Sequence, residues 1–170
     1  MKRTLASGNM RKLGDDINTD YIVPSHRKKE TIDPAVLQSF IFEDIHPGFY
    51  DGLGPRTILV AGSNFGCGSA MEVAVTVLQS AGVEAVIAKS FSRTFRRNAL
   101  NNGLLLCKAD ASNLTQNAYV TITLEDRNLL VETAENPAIN AEGLPPFMVE
   151  MLSYGGLANY LRKNGGFDHQ

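Results

Sequence analysis

The segment Gly62-Ser-Asn-Phe-Gly-Cys-Gly-Ser69 decides the fold, because it joins a buried strand to a helix. The apolar run Thr57-Ile-Leu-Val-Ala61 before it is typical of a strand, and residues 70–81 after it are typical of a helix that ends at Gly82. Glycines in such a turn let backbone N–H groups converge, and the helix N-terminus adds partial positive charge. The sequence therefore predicts a small-anion site beside the Ser69 hydroxyl. The open alternative is a plain turn in which Ser69 is the helix N-cap.

Three known glycine motifs do not fit this turn. A Walker loop requires a Lys directly before its final Ser or Thr, and Gly68 stands there. A dinucleotide loop requires a third glycine after Gly66 and Gly68, and the sequence has none at that spacing. A nucleophile elbow requires Gly two residues after its Ser, which Ala70-Met71 excludes. The remaining interpretations are a turn that binds a carboxylate or another small anion, and a turn that binds no ligand.

Length and composition indicate one domain over residues 1–170 of an ordinary globular protein. Hydrophobic residues make up 44% of the chain and charged residues 20%, with a formal net charge of −2. This balance gives no basic surface for nucleic acid, and the chain has no apolar run long enough to span a membrane. The N-terminus lacks the apolar core of a signal peptide, so we expect a cytoplasmic protein.

The two cysteines, Cys67 and Cys107, indicate that this chain holds no metal. They are forty residues apart, without a CxxC pair or a neighbouring histidine, so nothing supports a zinc site. An iron–sulfur cluster requires three or four thiolates. We expect Cys67 to be a small thiol packed in the turn. The histidines are scattered at His26, His46 and His169.

The rest of the pattern predicts an α/β fold with a strand–helix–strand unit over residues 57–89. Strands in such a unit are parallel. The further predicted elements are a helix over 90–103, a strand over 104–107, a hairpin of strands 119–124 and 128–133, and helices over 145–152 and 157–162.

The N-terminal third is predicted to be mostly irregular. A short strand begins at Met10, and a group of Asx residues follows, of the kind that makes turns and caps: Asp15, Asp16, Asn18 and Asp20. Residues 25–32 are predicted to be a polar, basic loop. A helix is predicted to begin after the N-cap Asp33. Residues 46–55 are predicted to be turn-rich surface.

Several ordered segments together resemble the small subunit of isopropylmalate isomerase (3-isopropylmalate dehydratase) and, more distantly, the last domain of aconitase. They extend from about residue 10 to residue 164 and are Gly14-Asp-Asp-Ile-Asn-Thr-Asp20 with Ile22-Val-Pro24, the glycine turn 62–69, Ala88-Lys-Ser-Phe-Ser-Arg-Thr-Phe-Arg-Arg-Asn98 with Asn102-Gly-Leu104, and Phe147-Met through Tyr160-Leu161.

The resemblance implies a swivelling β/β/α domain that works in a heterodimer with a large subunit. The large subunit of this family carries the 4Fe-4S cluster on its own cysteines, which agrees with the shortage of cysteines here. The implied reaction is reversible dehydration of a hydroxy-dicarboxylate or tricarboxylate, in which the cluster activates the hydroxyl as a Lewis acid. Isopropylmalate, an intermediate of leucine biosynthesis, is the leading substrate.

The resemblance also implies the site residues. The serine that matches Ser69 is the base of this family, and the turn and helix N-terminus would stabilise negative charge on its Oγ. Substrate contacts are implied for the neighbouring residues of the turn: Gly66, Cys67, Gly68, Ala70 and Met71.

The sequence departs from the family after Ser69. The family turn continues Ser-Arg, and that Arg binds a substrate carboxylate, whereas this chain has Ala70-Met71. A lost charge-assisted bond costs about 1.5–3 kcal/mol of binding unless another group replaces it. Three interpretations stay open: an apolar group on the substrate, a substitute cation, or a weakly catalytic subunit.

The basic loop after Pro24 is the candidate source of a substitute cation. In this family, the loop at this position helps to recognise the variable group of the substrate. We therefore predict that Arg27, or a neighbouring lysine such as Lys28, contacts a substrate carboxylate. The alternative is a solvated loop or one that faces the partner subunit.

Other basic residues near the site are given structural roles. Arg93, Arg96 and Arg97 share one face of a predicted helix and are expected to form ion pairs or an interface. Lys89 ends a strand and is expected to be solvated.

Three other functions compete with the leading one. They are a homoaconitase-, dimethylmalate- or citraconate-type subunit with altered specificity, a non-catalytic anion-binding regulatory subunit, and an RNA-binding protein, against which the acidic balance argues.

Overall fold

Seven strands form one mixed sheet in the computed structural model of this chain, which describes residues 1–165. The order across the sheet is β4-β3-β2-β1-β5-β6-β7. Strands β1 to β4 are parallel to one another, and β5 to β7 are antiparallel to their neighbours. The strands are β1 (Arg3–Lys12), β2 (Thr57–Ala61), β3 (Val83–Ala88), β4 (Leu105–Lys108), β5 (Tyr119–Glu125), β6 (Asn128–Glu132) and β7 (Ile139–Ala141).

Strand β1 joins the parallel and antiparallel halves of the sheet. It pairs in parallel with β2, from Asn9 opposite Thr57 to Lys12 opposite Val60, and antiparallel with β5. Parallel neighbours end at the same edge of a sheet. The segments that follow β1 and β2 therefore leave the sheet side by side, and these are the Asx-rich segment and the glycine turn.

Seven helices accompany the sheet within residues 1–165, and the first three are single turns. In the same range, no helix is both long and apolar enough to cross a bilayer. The helices are α1 (Thr19–Ile22), α2 (Ser25–Lys28), α3 (Pro34–Leu37), α4 (Glu72–Ser80), α5 (Arg93–Asn101), α6 (Pro146–Ser153) and α7 (Leu157–Asn164).

Two apolar cores lie on the opposite faces of the sheet, and strand β2 contributes side chains to both. Successive side chains of a strand point to opposite faces. Leu59 and Ala61 belong to the core that includes α4 and α5, whereas Ile58 and Val60 belong to the core that includes β5 and β6. All five residues of β2 are buried, which explains the uninterrupted apolar run that follows Thr57.

The structure confirms most of the predicted elements. The predicted unit over residues 57–89 is present as β2, α4 and β3, with β2 and β3 parallel. Helix α5, strand β4, the β5–β6 hairpin and both C-terminal helices are also present, with every bound within three residues of the one predicted. Asp33 caps α3 as expected, since its Oδ1 accepts a hydrogen bond from Ala35 N at 2.9 Å.

Two strands differ from the prediction. Strand β1 begins at Arg3, seven residues before the predicted Met10, and β7 was not predicted. The polar run Ser7-Gly-Asn9 has the composition of a turn, which hides the strand. Gly8 is needed there because an added Cβ would lie 2.5 Å from the carbonyl oxygen of Arg56.

Two predicted loops also contain structure. The basic loop over 25–32 begins with helix α2, in which Arg27 N and Lys28 N both donate to Pro24 O. The stretch over 46–55 is not all surface, because Phe49 is buried against Phe42 with ring centroids 4.8 Å apart.

The single domain over residues 1–170 stays a prediction, since it extends past the described part of the chain. His169 also lies outside the described residues.

Gly103 offers a test of how the C-terminal helices are attached. Its φ is +76°, and an added Cβ would overlap the backbone of Gly155, between α6 and α7. We expect Gly103→Ala to lower the free energy of unfolding by about 2 kcal/mol or more, measured by urea denaturation. Gly54→Ala is the matched control, because its Cβ would lie 4.0 Å from Asn9 Nδ2, at ordinary contact distance. Equal effects of the two changes would contradict this packing.

Candidate active site

The glycine turn is paired along its length with the segment that follows β1. An isolated parallel bridge joins Asn18 to Cys67 at the centre of this pairing. The backbone hydrogen bonds are Gly62 N to Gly14 O (3.1 Å), Asp16 N to Ser63 O (2.8 Å), Gly66 N to Ile17 O (2.8 Å) and Thr19 N to Cys67 O (2.8 Å). The turn is therefore fixed by a segment more than forty residues away in sequence.

Asx side chains strengthen this pairing. Asp15 Oδ1 accepts from Ser63 N at 2.7 Å, and Asp16 Oδ1 accepts from Asn64 Nδ2 at 2.8 Å. Asn18 caps α1, because its Oδ1 accepts from the N–H of Asp20. The predicted capping role is confirmed for Asn18, whereas the contacts of Asp15 and Asp16 reach across to the turn.

The segment before α5 supports the turn from its other side. Phe65 N donates to Ser90 O at 3.0 Å, and Ser92 Oγ donates to Gly66 O at 2.7 Å. The Phe65 ring is fully buried and packs edge-on against Phe95, with centroids 5.2 Å apart. The turn is thus held between two elements and anchored by an aromatic pair.

Two glycines of the turn are required by its geometry. Gly66 has φ +79°, and an added Cβ would overlap the Phe95 ring. Gly68 has φ +90°, and an added Cβ would overlap the Asn18 side chain. Any other residue at these positions would force the turn away from its supports.

Ser69 stands at the exposed end of the turn. Its carbonyl oxygen accepts from Thr19 Oγ1 at 2.9 Å, and Thr19 is 1% exposed. Within residues 1–165, the N–H groups of Gly68, Ser69 and Ala70 donate to no protein acceptor. These exposed N–H groups and the Ser69 hydroxyl are available to an anion.

The alternative role of Ser69 as helix N-cap is wrong. Helix α4 begins at Glu72, and its N-cap is Met71, whose side chain makes no capping hydrogen bond. Because the field of a helix terminus falls off within its first turn, its help to Ser69 is smaller than the sequence suggested.

Arg27 binds Glu43 and does not contact the turn in the described part of the chain. Its Nε and Nη2 bind the two carboxylate oxygens of Glu43 at 2.8 and 3.1 Å, and its guanidinium lies 3.9 Å from the Phe40 ring centroid. The hydrogen bond from Arg27 lowers the pKa of Glu43. Within the described residues no contact joins Arg27 to the turn, so its predicted substrate contact stays a prediction with a competing partner.

Lys28, in contrast, lies against the turn. Its Nζ lies 3.0 Å from Asp20 Oδ1 and 2.7 Å from Met71 Sδ, and its side chain is 17% exposed. Hydrogen bonds from Ser25 and then Lys28 lower the pKa of Asp20, which keeps that carboxylate ionised. Of the two basic residues proposed for the site, the structure brings Lys28 together with Met71.

The two cysteines do not form a metal site with each other. Cys107 is fully buried in β4, and burial raises the pKa of its thiol to about 12. Cys67 is partly buried in the turn; burial first, and then the charge of Asp16, raises the pKa of its thiol. Within residues 1–165, no group of three or more His, Cys, Asp or Glu residues could hold a metal ion.

Of the other basic residues, Arg96 and Lys89 make ion pairs, whereas Arg93 and Arg97 make none within residues 1–165. Arg96 binds Glu142 at 3.1 Å, and Lys89 lies 3.4 Å from Asp110. The ion-pair role is therefore confirmed for Arg96, while Lys89 is exposed but paired.

Sequence reasoning missed Thr19 as the residue that holds Ser69. Thr19 belongs to the Gly14–Asp20 motif, but the spacing within that motif does not predict a contact with a residue fifty positions away.

The Cys67 thiol reports the environment of the turn. Since burial raises the pKa of this thiol, we expect slower iodoacetamide labelling at pH 8 than for a free cysteine, with a rise in rate at higher pH than for the free thiol. Cys107 should react only after unfolding. Asp16→Asn keeps the acceptor for Asn64 but removes the charge, so the Cys67 labelling midpoint should move to lower pH. A wild-type midpoint below about 8.5 would contradict the geometry.

Comparison with known proteins identifies the family. The family model described as the aconitase C-terminal domain matches residues 49–127. The 3-isopropylmalate dehydratase small subunit of Syntrophus aciditrophicus is 40% identical over 163 residues, which cover 94% of this chain and 98% of that protein. The protein of the same name from Saccharolobus solfataricus is 38% identical over 161 residues, covering 94% and 95%.

A solved structure agrees with these relatives. The crystal structure of 3-isopropylmalate dehydratase from Methanocaldococcus jannaschii matches with a TM-score of 0.83 and 35% identity, over 97% of this chain and 96% of that one. This match confirms the predicted fold class, the α/β swivelling domain of aconitase type. On identity and coverage together, the chain belongs to the family of 3-isopropylmalate dehydratase small subunits.

Proposed function

We propose that this chain is the small subunit of an aconitase-family hydro-lyase of the 3-isopropylmalate dehydratase type. The enzyme would reversibly dehydrate and rehydrate a hydroxy-dicarboxylate in leucine biosynthesis, in the cytoplasm. The observation that carries the proposal is the Ser69 hydroxyl beside three N–H groups without protein acceptors within the described residues. The relatives that bear the name of this enzyme support it.

Ser69 Oγ is the proposed base of the reaction. In the dehydration direction, Oγ as the alkoxide takes the proton from the carbon next to a carboxylate and becomes a hydroxyl. The electron pair of that C–H bond forms the double bond, and the neighbouring carbon releases its hydroxyl as hydroxide, which together with the abstracted proton makes up the water that is lost. The N–H groups of Gly68 and Ala70 can stabilise negative charge that develops at this position. Such stabilisation is strong only where water is excluded.

A large subunit would cover the side of the site that is exposed to solvent in this chain. Gly68, Ser69 and Ala70 are all exposed in this chain, so water reaches the base when the chain is alone. We therefore propose that the chain is active only in a heterodimer that covers the turn.

The residues of this chain do not fit the 4Fe-4S cluster that the family implies. Cys67 and Cys107 lie in different parts of the fold, and a cluster requires more thiolates than these two can supply. We propose that the cluster belongs to the large subunit, where it would supply a Lewis acid for the departing hydroxyl.

Substrate contacts are proposed for the turn as a whole. Gly68 and Ala70 would contribute backbone N–H groups, and Cys67 and Met71 would line the site. The N–H of Gly66 already donates to Ile17 O, and the place of a side chain is taken by the Phe95 ring, so Gly66 would act on the substrate only by setting the path of the turn.

Met71 is the residue that supports a second candidate function. A regulatory subunit that binds an anion without turnover would need the turn but not a charged side chain at this position. A homoaconitase-type subunit is a weaker candidate, because Met71 offers nothing to an additional carboxylate.

Replacing Ser69 tests the proposed function. We expect Ser69→Ala to lower kcat of the assembled, cluster-loaded complex on isopropylmalate by about 10²–10⁴-fold, since a positioned general base contributes that much. Steady-state turnover under anaerobic conditions is the measurement, with gel filtration to show that the complex still assembles.

Ser63→Ala is the matched control for this experiment. Ser63 is an exposed serine of the same turn, and only its backbone is bonded to Asp15 and Asp16. It should leave turnover unchanged. Turnover by Ser69→Ala at the wild-type rate would exclude Ser69 as the base, and a wild-type complex that binds the substrate but never converts it would favour the regulatory function.

A further inference from the structure

We propose that Lys28 is the specificity-determining cation of the site, and that with Met71 it selects a hydroxy-dicarboxylate with an apolar substituent. Lys28 would bind one substrate carboxylate, while the thioether of Met71 would cover the substituent. This inference rests on the proposed function, because it places the substrate beside Ser69.

The Lys28 ammonium has bonding capacity that the protein does not use. An ammonium carries three donors. Asp20 takes one of them at 3.0 Å, and the other contact within the described residues is the sulfur of Met71 at 2.7 Å. The Asp20 carboxylate compensates the charge of Lys28, but a thioether is a weak acceptor, so the remaining donors of this ammonium lack a strong partner. A carboxylate placed here would gain a charge-assisted hydrogen bond.

Lys28 lies on the side of the turn that carries the base. Thr19 and Asp20 are consecutive in α1; the first bonds to the Ser69 carbonyl and the second to Lys28. Met71, which contacts Lys28, lies only two residues beyond Ser69. One short helix therefore fixes both the proposed base and the proposed cation.

The neighbouring basic groups are engaged elsewhere or exposed. Both carboxylate oxygens of Glu43 bind Arg27, and His26 Nε2 lies 3.4 Å from the same carboxylate. Lys29 is exposed and makes no side-chain hydrogen bond or ion pair within residues 1–165. This loop therefore directs one cation toward Met71.

One cation and one thioether favour one kind of substrate. A dicarboxylate can place a carboxylate on Lys28 and an alkyl group on Met71. A tricarboxylate would place its additional charge against the thioether, where a desolvated carboxylate lacks a partner. The Asp20 carboxylate strengthens this discrimination, since it repels a further negative charge near Lys28 while it holds Nζ in place.

The test uses the assembled complex and isopropylmalate. We expect Lys28→Met to raise KM by about tenfold to a hundredfold, the loss of one charged hydrogen bond, with a much smaller change in kcat. Lys28→Arg should keep most of the affinity. Lys29→Met removes the same charge from the adjacent exposed residue and should leave KM unchanged.

Moving the charge distinguishes recognition from a structural role. The double variant Lys28→Met/Met71→Arg returns a cation to the same place from the other side, and we expect it to recover affinity for isopropylmalate. If Lys28 were purely structural, Met71→Arg would change the affinity by the same factor in the wild type and in Lys28→Met, whereas a shared carboxylate makes the gain larger in Lys28→Met. Unchanged KM in Lys28→Met, or equal losses in Lys28→Met and Lys29→Met, would overturn the proposal.

A binding measurement separates this inference from the proposed function. Calorimetry with isopropylmalate is carried out on complexes that carry Ser69→Ala, with and without Lys28→Met. Binding that Lys28→Met weakens at least tenfold supports the Lys28 site even if the complex proves not to be a dehydratase. Binding that Lys28→Met leaves intact, or no binding of isopropylmalate at all, overturns it whatever the fate of Ser69.

Discussion

The backbone pairing between residues 14–19 and the glycine turn is the constraint on which the site depends. The parallel register of β1 and β2 brings the two segments to one edge of the sheet, and four backbone hydrogen bonds then join them. The pairing continues to the last residue of the turn, where Thr19 holds the Ser69 carbonyl. The proposed base is thus positioned by a segment that also begins the helix beside Lys28.

This arrangement separates a rigid support from an open reacting face. Buried aromatic packing between Phe65 and Phe95 fixes one side of the turn, while Gly68, Ser69 and Ala70 stay exposed. A site of this kind has precise geometry but no means of excluding water. In the proposed complex, the large subunit would cover the turn and would hold the cluster for which two separated cysteines are too few.

The sequence predicted the elements better than their contacts. The buried strand Thr57–Ala61, the helices and the hairpin follow from local periodicity, and the structure confirms them. The first strand was underestimated because Ser7-Gly-Asn9 resembles a turn, although Gly8 serves close strand packing. The sequence around Arg27 and Lys28 does not indicate which of them contacts the turn. Their contacts depend on Glu43 and Met71, which lie far along the chain.

The most direct test of the account is the kcat of the assembled complex with Thr19→Val. This change removes one buried hydroxyl bond to Ser69 and keeps shape and charge, so we predict a loss of kcat of about fivefold, with KM little changed. Thr123→Val, which removes a buried hydroxyl bond to Glu132 away from the turn, should leave kcat at the wild-type value. A wild-type kcat for Thr19→Val would contradict the claim that this pairing positions the base.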